Sequence, residues 1–347
     1  MKSSSVRGTV AALTGLTLLA VGLTACNPAD SLKTDTTTSG GDKLTTVTIQ
    51  IDGAAVPYYA PLYMAVEEGY FKEQGLDVEF TYAEASSILQ NVAAGNVEFG
   101  FPNGDSVITA KANGVDVQVV HTTYQQGIGA VLFNKDTTPI SSPKDLAGKK
   151  VAVTDLGSPN YIQLQAMMQS VGMSVKDVQV ETVGSGSIVA ALQGGEVDAI
   201  VFSRLRYFAL QSAGFPVGQI LSDEFLPSFG NVLVTSPALI KDKPEVVSGF
   251  TKALDQGIQY VIDNPSDAVT RAIKDYADSF AGQEEQVTEV IENVFIADLW
   301  QSDATKEHGL GYGDLKRWQN AIDAQASFGL IDKSFDAKTL VVEPDGL

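Results

Sequence analysis

The chain predicts an α/β protein of two lobes, each with a mostly parallel sheet covered by helices. Three observations carry that expectation. Short β-rich runs alternate with helical patterns, which is how strands and helices interleave around a parallel sheet. The same order of elements occurs twice. The two halves also share a local pattern, Gly95-Asn96-Val97-Glu98-Phe99 against Gly195-Glu196-Val197-Asp198-Ala199.

In the first half, Val47 to Ile51 alternates like a strand and breaks at Asp52-Gly53. Pro61 to Gly69 reads as a helix ended by glycine and Leu76 to Tyr82 as a strand. Ser86 to Ala94 reads as a helix and Val97 to Phe101 as a third strand. In the second half, Val151 to Val153 breaks at Asp155-Leu156-Gly157, Asn160 to Val171 is helical and Val178 to Val183 is extended. Ile188 to Leu192 is helical again, and Val197 to Phe202 closes the set. The helices before the paired glycines carry apolar residues three apart, Leu89 with Val92 and Val189 with Leu192, as one buried helix face requires.

The boundary between halves falls near Phe133-Asn134-Lys135, and the chain crosses back at Gly230 to Ser236, where Val232 to Val234 reads as a strand. Beyond it, Pro244 stands at a first helical position, and Val247, Phe250, Leu254, Ile258 and Val261 share one face. Further helical segments follow Asn264-Pro265 and Gln283 and complete the first lobe. The expected organisation is therefore residues 44–134 with 235–347 as the first lobe and 135–234 as the second.

The preceding residues predict export. Lys2 and Arg7 give a basic start, and Val10 to Leu23 is an apolar run shorter than the ~20 residues that span a bilayer. It ends in Leu23-Thr24-Ala25-Cys26, the pattern of a bacterial lipobox, so residues 1–25 are expected to be a signal peptide and Cys26 the lipidated residue. Cys26 is the only cysteine, which excludes an intramolecular disulfide and a cysteine-based metal cluster. Residues 26–43 are polar, with too little to bury to offset the entropy of ordering, and are expected to be a tether. The protein is then expected outside the cytoplasm, on the outer face of the membrane.

The formal charge is −19, from 23 basic and 42 acidic residues. An acidic body without a basic stripe repels nucleic acid. The residues show no paired nucleophile and base, no metal-ligand cluster and no phosphate-cradling glycine loop with a lysine, so no catalytic residue, cofactor or metal is expected. His121, after the Val117 to Val120 run, is placed to line the cleft but is read as structural, and His308 falls in a loop after Trp300.

Pro61-Leu62-Tyr63-Met64-Ala65 and Glu68-Gly69-Tyr70-Phe71-Lys72-Glu73-Gln74-Gly75-Leu76-Asp77-Val78 resemble the opening block of the NMT1/THI5-like solute-binding proteins, relatives of the nitrate, taurine and alkanesulfonate binders. Ala93 to Gly100, Asp145 to Val153 and Gly194 to Ala199 resemble the family's later blocks. The resemblance implies a type II periplasmic-binding-protein fold, two lobes joined by two crossing segments that close on a small molecule by hinge motion. It implies a monomer that delivers its ligand to the permease of an ABC importer. It also extends to the fungal pyrimidine synthase of thiamine biosynthesis, whose chemistry uses a histidine and a cysteine-rich motif that this chain does not match.

Ligand-facing residues are expected on loops that follow the strands, at the carboxyl ends of the sheet. In the first half these are Asp52, Tyr58, Tyr59, Tyr63, Ser86, Phe101, Asn103, Asp105 and Tyr124, with Ser86 as a helix cap. In the second they are Ser158, Asn160, Tyr161, Arg204 and Arg206, with Phe229 near the return crossing. So many rings suit stacking on a planar ligand. Asp52 and Asp105, with no first-half Lys or Arg beside them, favour a neutral or weakly cationic heteroaromatic, such as a thiamine-precursor pyrimidine. The pyrimidine binders' Trp-x-Pro-Asn segment is replaced here by Gly53-Ala54-Ala55-Val56-Pro57-Tyr58-Tyr59. The alternative is a small anion, alkanesulfonate, taurine or nitrate, held by Arg204 or Arg206 and helix N-terminal amides.

Overall fold

The computed structural model describes residues 44–342 apart from 157. The expected signal peptide, Cys26 and tether lie outside the described residues.

The first half runs β1 (Thr45–Asp52), α1 (Ala60–Glu67), α2 (Tyr70–Glu73), β2 (Leu76–Ala83), α3 (Ala85–Ala94), β3 (Phe99–Phe101), α4 (Gly104–Ala112) and β4 (Gln118–His121). The second runs β5 (Gly129–Asn134), β6 (Lys150–Val153), α5 (Pro159–Ser170), β7 (Gln179–Thr182), α6 (Ile188–Gln193), β8 (Ala199–Ser203), α7 (Leu205–Ser212) and β9 (Val217–Leu221). After β10 (Leu233–Thr235) come α8 (Pro237–Asp242), α9 (Pro244–Asp263), α10 (Pro265–Asp275) and α11 (Glu284–Val290). A π-helical stretch, Ile291–Leu299, continues α11, and α12 (Asp303–His308) and α13 (Leu315–Ser327) follow.

The strands form two five-stranded sheets with the same permutation, β2-β1-β3-β10-β4 and β7-β6-β8-β5-β9. In each, one strand from outside the parallel run is inserted antiparallel to its neighbours, β10 between β3 and β4 and β5 between β8 and β9. The pairs of β1 with β2 and β3, and of β6 with β7 and β8, are parallel. The matching glycines do the same work twice: Gly95 and Gly195 both carry φ near +70° (73° and 71°), the left-handed backbone that ends a helix before β3 and β8.

β5 belongs to the second sheet, so the first crossing occupies residues 122–128, upstream of the boundary expected at Asn134-Lys135. Val131 and Phe133 pack on one face of that sheet and Ala130 and Leu132 on the other. A strand buried on both faces reads as a continuous apolar run, with no polar face to reveal its sheet. The return crossing occupies residues 222–232 and enters the first sheet at β10.

The two crossings pair with each other. Tyr124 N donates to Asn231 O at 3.0 Å and Gly230 N to Gln126 O at 2.8 Å. A side chain at position 230 is excluded, because its Cβ would lie 2.5 Å from the Tyr124 ring.

The C-terminal helices complete the first lobe. Val247, Phe250, Leu254, Ile258 and Val261 of α9 are all buried, beside Val47, Ile49 and Ile51 of β1 and Leu62 and Met64 of α1. Each such side chain contributes roughly 1.5–3 kcal/mol. The other face of this sheet buries Val119 and Val234 against Trp318 and Ile322 of α13.

Candidate ligand site between the lobes

The turn after β1 places two aromatic rings at the carboxyl end of the first sheet. Pro57 opens a single 3-10 turn, Pro57–Tyr59, with its fixed φ where the missing N–H costs nothing. Tyr59 O–H then donates to Asp52 O at 2.7 Å. Its ring stands edge-on to Phe101, at 6.1 Å between centroids, and Phe101 stands edge-on to Tyr124 at 6.0 Å. Tyr58 stacks on Phe295 at 5.4 Å, and Phe295 meets Trp300 at 5.2 Å. These rings enclose a void of about 10 Å3 lined also by Thr123 and Leu254, room for a single water.

The cluster crosses between lobes. Leu205 and Phe208 of α7 join the apolar group that contains Tyr58, Tyr59, Phe101 and Tyr124. Burial lifts the Tyr58 phenol above its ordinary range, while the nearby Arg206 guanidinium pulls the other way. Above this contact Arg204 Nη2 donates to Asp298 Oδ2 at 2.7 Å, an ion pair between the second lobe and the π-helical stretch.

A polar lane borders the rings. Asn231 Nδ2 donates to Phe101 O at 2.7 Å, and Asn103 Oδ1 caps α4 by accepting from Asp105 N at 3.0 Å. Asp105 Oδ2 accepts from Gln163 Nε2 of α5 at 3.2 Å, joining the lobes by a second polar contact. Burial raises the Asp105 carboxyl to about 7 against the hydrogen bond from Gln163, with Asp223 raising it further and Arg317 opposing. Asp52 is half-buried at the rim; burial and then Glu84 raise it to about 6, and the amides of Ala85 and Gly53 oppose.

Of the residues expected here, Tyr58, Tyr59, Phe101, Asn103, Asp105 and Tyr124 come together, with Arg204 and Arg206 facing them. Tyr63 does not: its ring lies fully buried, stacked on Tyr276 at 4.1 Å with its hydroxyl 2.9 Å from that of Tyr82. It sits on the α1 face that packs the lobe. Phe229 likewise stacks on Trp318 at 4.1 Å inside the first lobe. Ser86 is exposed within the first turn of α3, whose N-cap is Glu84, so it caps nothing. Ser158 Oγ accepts from Tyr161 N at 3.3 Å and donates to Asp155 O at 2.7 Å, and Asn160 Nδ2 donates to Thr154 Oγ1 at 3.3 Å. Both side chains are used in local hydrogen bonds, Ser158 as the cap of α5. Tyr161 packs against the second lobe's own core.

Arg204 is held by Asp298, and Arg206 lies over the Phe202 ring at 5.9 Å. His121 is buried, its Nδ1 2.8 Å from Thr123 Oγ1 and its Nε2 2.9 Å from Asp255 Oδ1, tying β4 to α9. His308 ends α12, where a loop was expected, and stacks on Tyr312 at 4.3 Å. Sequence reasoning missed Gln163, Phe295, Asp298 and Trp300. Gln163 lies in a helix expected from its pattern, but nothing in that pattern marks a glutamine as facing another lobe.

Two sheets of one permutation, joined by paired crossings and meeting on an aromatic cluster, define a protein of the periplasmic-binding-protein fold. The periplasmic sulfonate-binding protein SsuA from Methylobacillus flagellatus KT has this fold at a TM-score of 0.64, with 20% identity, over 87% of this chain and 92% of that one. The chain belongs to the NMT1/THI5 like family, whose model matches residues 56–268. It is similar to the riboflavin-binding protein RibY of Chloroflexus aurantiacus, 27% identical over 81% of this chain and 80% of that protein. It is also similar to the formylaminopyrimidine-binding protein of Halalkalibacterium halodurans, 26% identical over 67% of this chain and 71% of that protein. A 4-amino-5-hydroxymethyl-2-methylpyrimidine phosphate synthase of Aspergillus parasiticus is 26% identical over 68% of this chain and 70% of that protein. The named relatives thus include both binding proteins and synthases.

Proposed function

We propose that this protein is the extracytoplasmic solute-binding component of an ABC importer, carried on a lipid at Cys26, and that it captures a planar nitrogen heteroaromatic between its lobes. One observation carries the reading: Tyr58, Tyr59, Phe101 and Tyr124 stand at the carboxyl ends of the first sheet in one apolar cluster with Leu205 and Phe208 of the second lobe. A ring compound entering between them exchanges ring–side-chain contacts for ring–ligand stacking. The void beside the first-lobe rings, about 10 Å3, is far too small for such a ligand, so admission requires the rings to separate from what covers them, and hinge parting of the lobes is the motion this fold offers. Similarity to binders of riboflavin and of a formylaminopyrimidine supports the ligand class and the role of binder.

The small-anion alternative needs a free cation. Arg204 is already paired with Asp298, which leaves Arg206, over the Phe202 ring, as the cation an anion would use; Asp52 and Asp105 on the first-lobe side favour a neutral ring. Thermal-shift titration of the purified chain with riboflavin, a formylaminopyrimidine, taurine, an alkanesulfonate and nitrate tests this, since a ligand of the folded state raises the melting temperature. A shift with either ring compound, lost in Tyr58→Ala, is the expected result. A shift confined to the anions overturns the ligand class. Mass spectrometry of the recovered ring compound tests the binder role: a chemically altered ligand would place the chain with the synthases.

A further inference from the structure

The contact that joins the lobes beside the rings leaves polar groups unused. Asp105 and Gln163 are 0% and 2% exposed and come from different lobes. Apart from the single hydrogen bond between them, Asp105 Oδ1 and Gln163 Oε1 are buried with no partner. Buried acceptors of this kind are costly, and each calls for a partner or a role.

Both side chains are held in place. The Asp105 turn is fixed by Asn103 Oδ1 on its N–H and by Gln325 Nε2, which donates to Asp105 O at 3.3 Å. The Gln163 amide lies flat against the bare backbone of Gly129, where an added Cβ would fall 1.8 Å from Oε1 and 2.7 Å from Nε2. Asn103, two residues before Asp105, bridges to Asn231, which holds the carbonyl of Phe101, so the turn that carries Asp105 leads out of the aromatic cluster, while the carboxyl itself faces Gln163 and, from the α13 side, Arg317 and Gln325.

Resting on the ring-binding reading above, we propose that Asp105 and Gln163 are the edge-reading pair of the site. When the lobes part, their mutual hydrogen bond is released, and a ligand edge takes its place. The carboxylate is an acceptor and the freed Gln163 Nε2 a donor. Together they complement a ring edge that presents an N–H donor beside an acceptor, as a cyclic imide or an aminopyrimidine does. The same edge is common to a flavin and a formylaminopyrimidine, so the pair selects for that edge rather than for ring size. A ring whose edge nitrogen is alkylated loses the donor and leaves the Asp105 carboxylate unpaired, which is how such a site rejects close analogues.

The test is isothermal titration of the full chain with riboflavin and 3-methylriboflavin, and with a 4-aminopyrimidine and its 4-dimethylamino analogue. Methylation is expected to weaken binding by about 10- to 100-fold, the range of a charge-assisted hydrogen bond. Asp105→Asn and Gln163→Ala are expected to weaken the N–H ligands similarly and to erase the difference between parent and methylated compound. Gly129→Ala, which displaces the Gln163 amide without changing either side chain, is expected to act in the same direction. Each variant is compared only if it melts cooperatively. If Tyr58→Ala weakens binding while methylation, Asp105→Asn and Gln163→Ala leave it unchanged, the edge proposal falls and ring stacking stands. If the wild-type protein binds none of the four, the ring-binding reading falls and the edge proposal with it. A preference for flavin alone or pyrimidine alone, with the methylation penalty intact, supports the pair and identifies which ring carries the edge.

Discussion

Arg317 Nη2 lies 2.9 and 3.0 Å from the two carboxylate oxygens of Asp223, and the pair fastens the two crossing segments to α13. Asp223 Oδ1 also accepts from Gly127 N and Ser228 N, each at 3.0 Å, one from each crossing. The carboxylate is therefore the common acceptor of both linkers. Asp223→Ala is expected to cost about 2–3 kcal/mol, because two backbone donors and a guanidinium lose their partner. Arg317→Ala is expected to cost about 1 kcal/mol, since that side chain is partly open to water. Urea denaturation of both variants checks the order; an equal cost would mean that the backbone donors find water at no penalty.

Asp105 predicts a pH dependence. Its carboxyl is raised to about 7 from an ordinary 3.8, so the folded state holds its proton more tightly than the unfolded chain does. The associated stability is fully present below about pH 4 and is lost as pH rises toward 7. The groups that face it are Gln163, Gln325, Asp223 and Arg317, and the two charged ones oppose each other. Asp52, raised to about 6, acts in an overlapping window, so the informative quantity is the difference between Asp105→Asn and parent. The variant should gain melting temperature relative to the parent as pH rises from 4 to 8. A constant difference over that range would show that Asp105 titrates at its ordinary value.

Gly257 of α9 lies against α1, where an added Cβ would fall 2.1 Å from Pro61 O. A backbone carbonyl has no rotamer by which to give way. Gly257→Ala is thus expected to destabilise by about 1–3 kcal/mol despite the higher helix propensity of alanine. Calorimetry decides between them: a rise in melting temperature would mean that propensity outweighs the clash.

Trp300 packs against Phe295, which stacks with Tyr58, whereas Trp318 stacks on Phe229 on the other side of the first sheet. A ring entering the cluster should therefore change the fluorescence of Trp300 alone. Trp300→Phe is expected to abolish the ligand-induced signal and Trp318→Phe to preserve it. The reverse pattern would overturn stacking in the Tyr58 cluster.

The family blocks, the duplicated order of elements and the helix-ending glycines at 95 and 195 were all legible in the chain. Local backbone preference and periodicity act over a few residues and leave their mark in composition. The rings at 58, 59, 101 and 124 were legible as candidates for the same reason, since each ends or follows a strand. Tyr63 and Phe229 looked equivalent to them, because a ring near a strand end carries no local mark of the face on which it packs.

The sequence by itself determined that this is a doubled α/β chain with its ring-rich loops at the strand ends, because hydrophobic period and turn chemistry are local. Only the tertiary structure decided that β5 belongs to the second sheet, that Arg204 is paired with Asp298 and that Asp105 meets Gln163. Those choices join residues 94 and 58 positions apart in the two polar contacts, and they turn on which buried faces come together when the two crossings pair. Burial on both faces erases the alternation that would have announced β5, and a polar side chain's partner across a cleft has no signature in its neighbours along the chain.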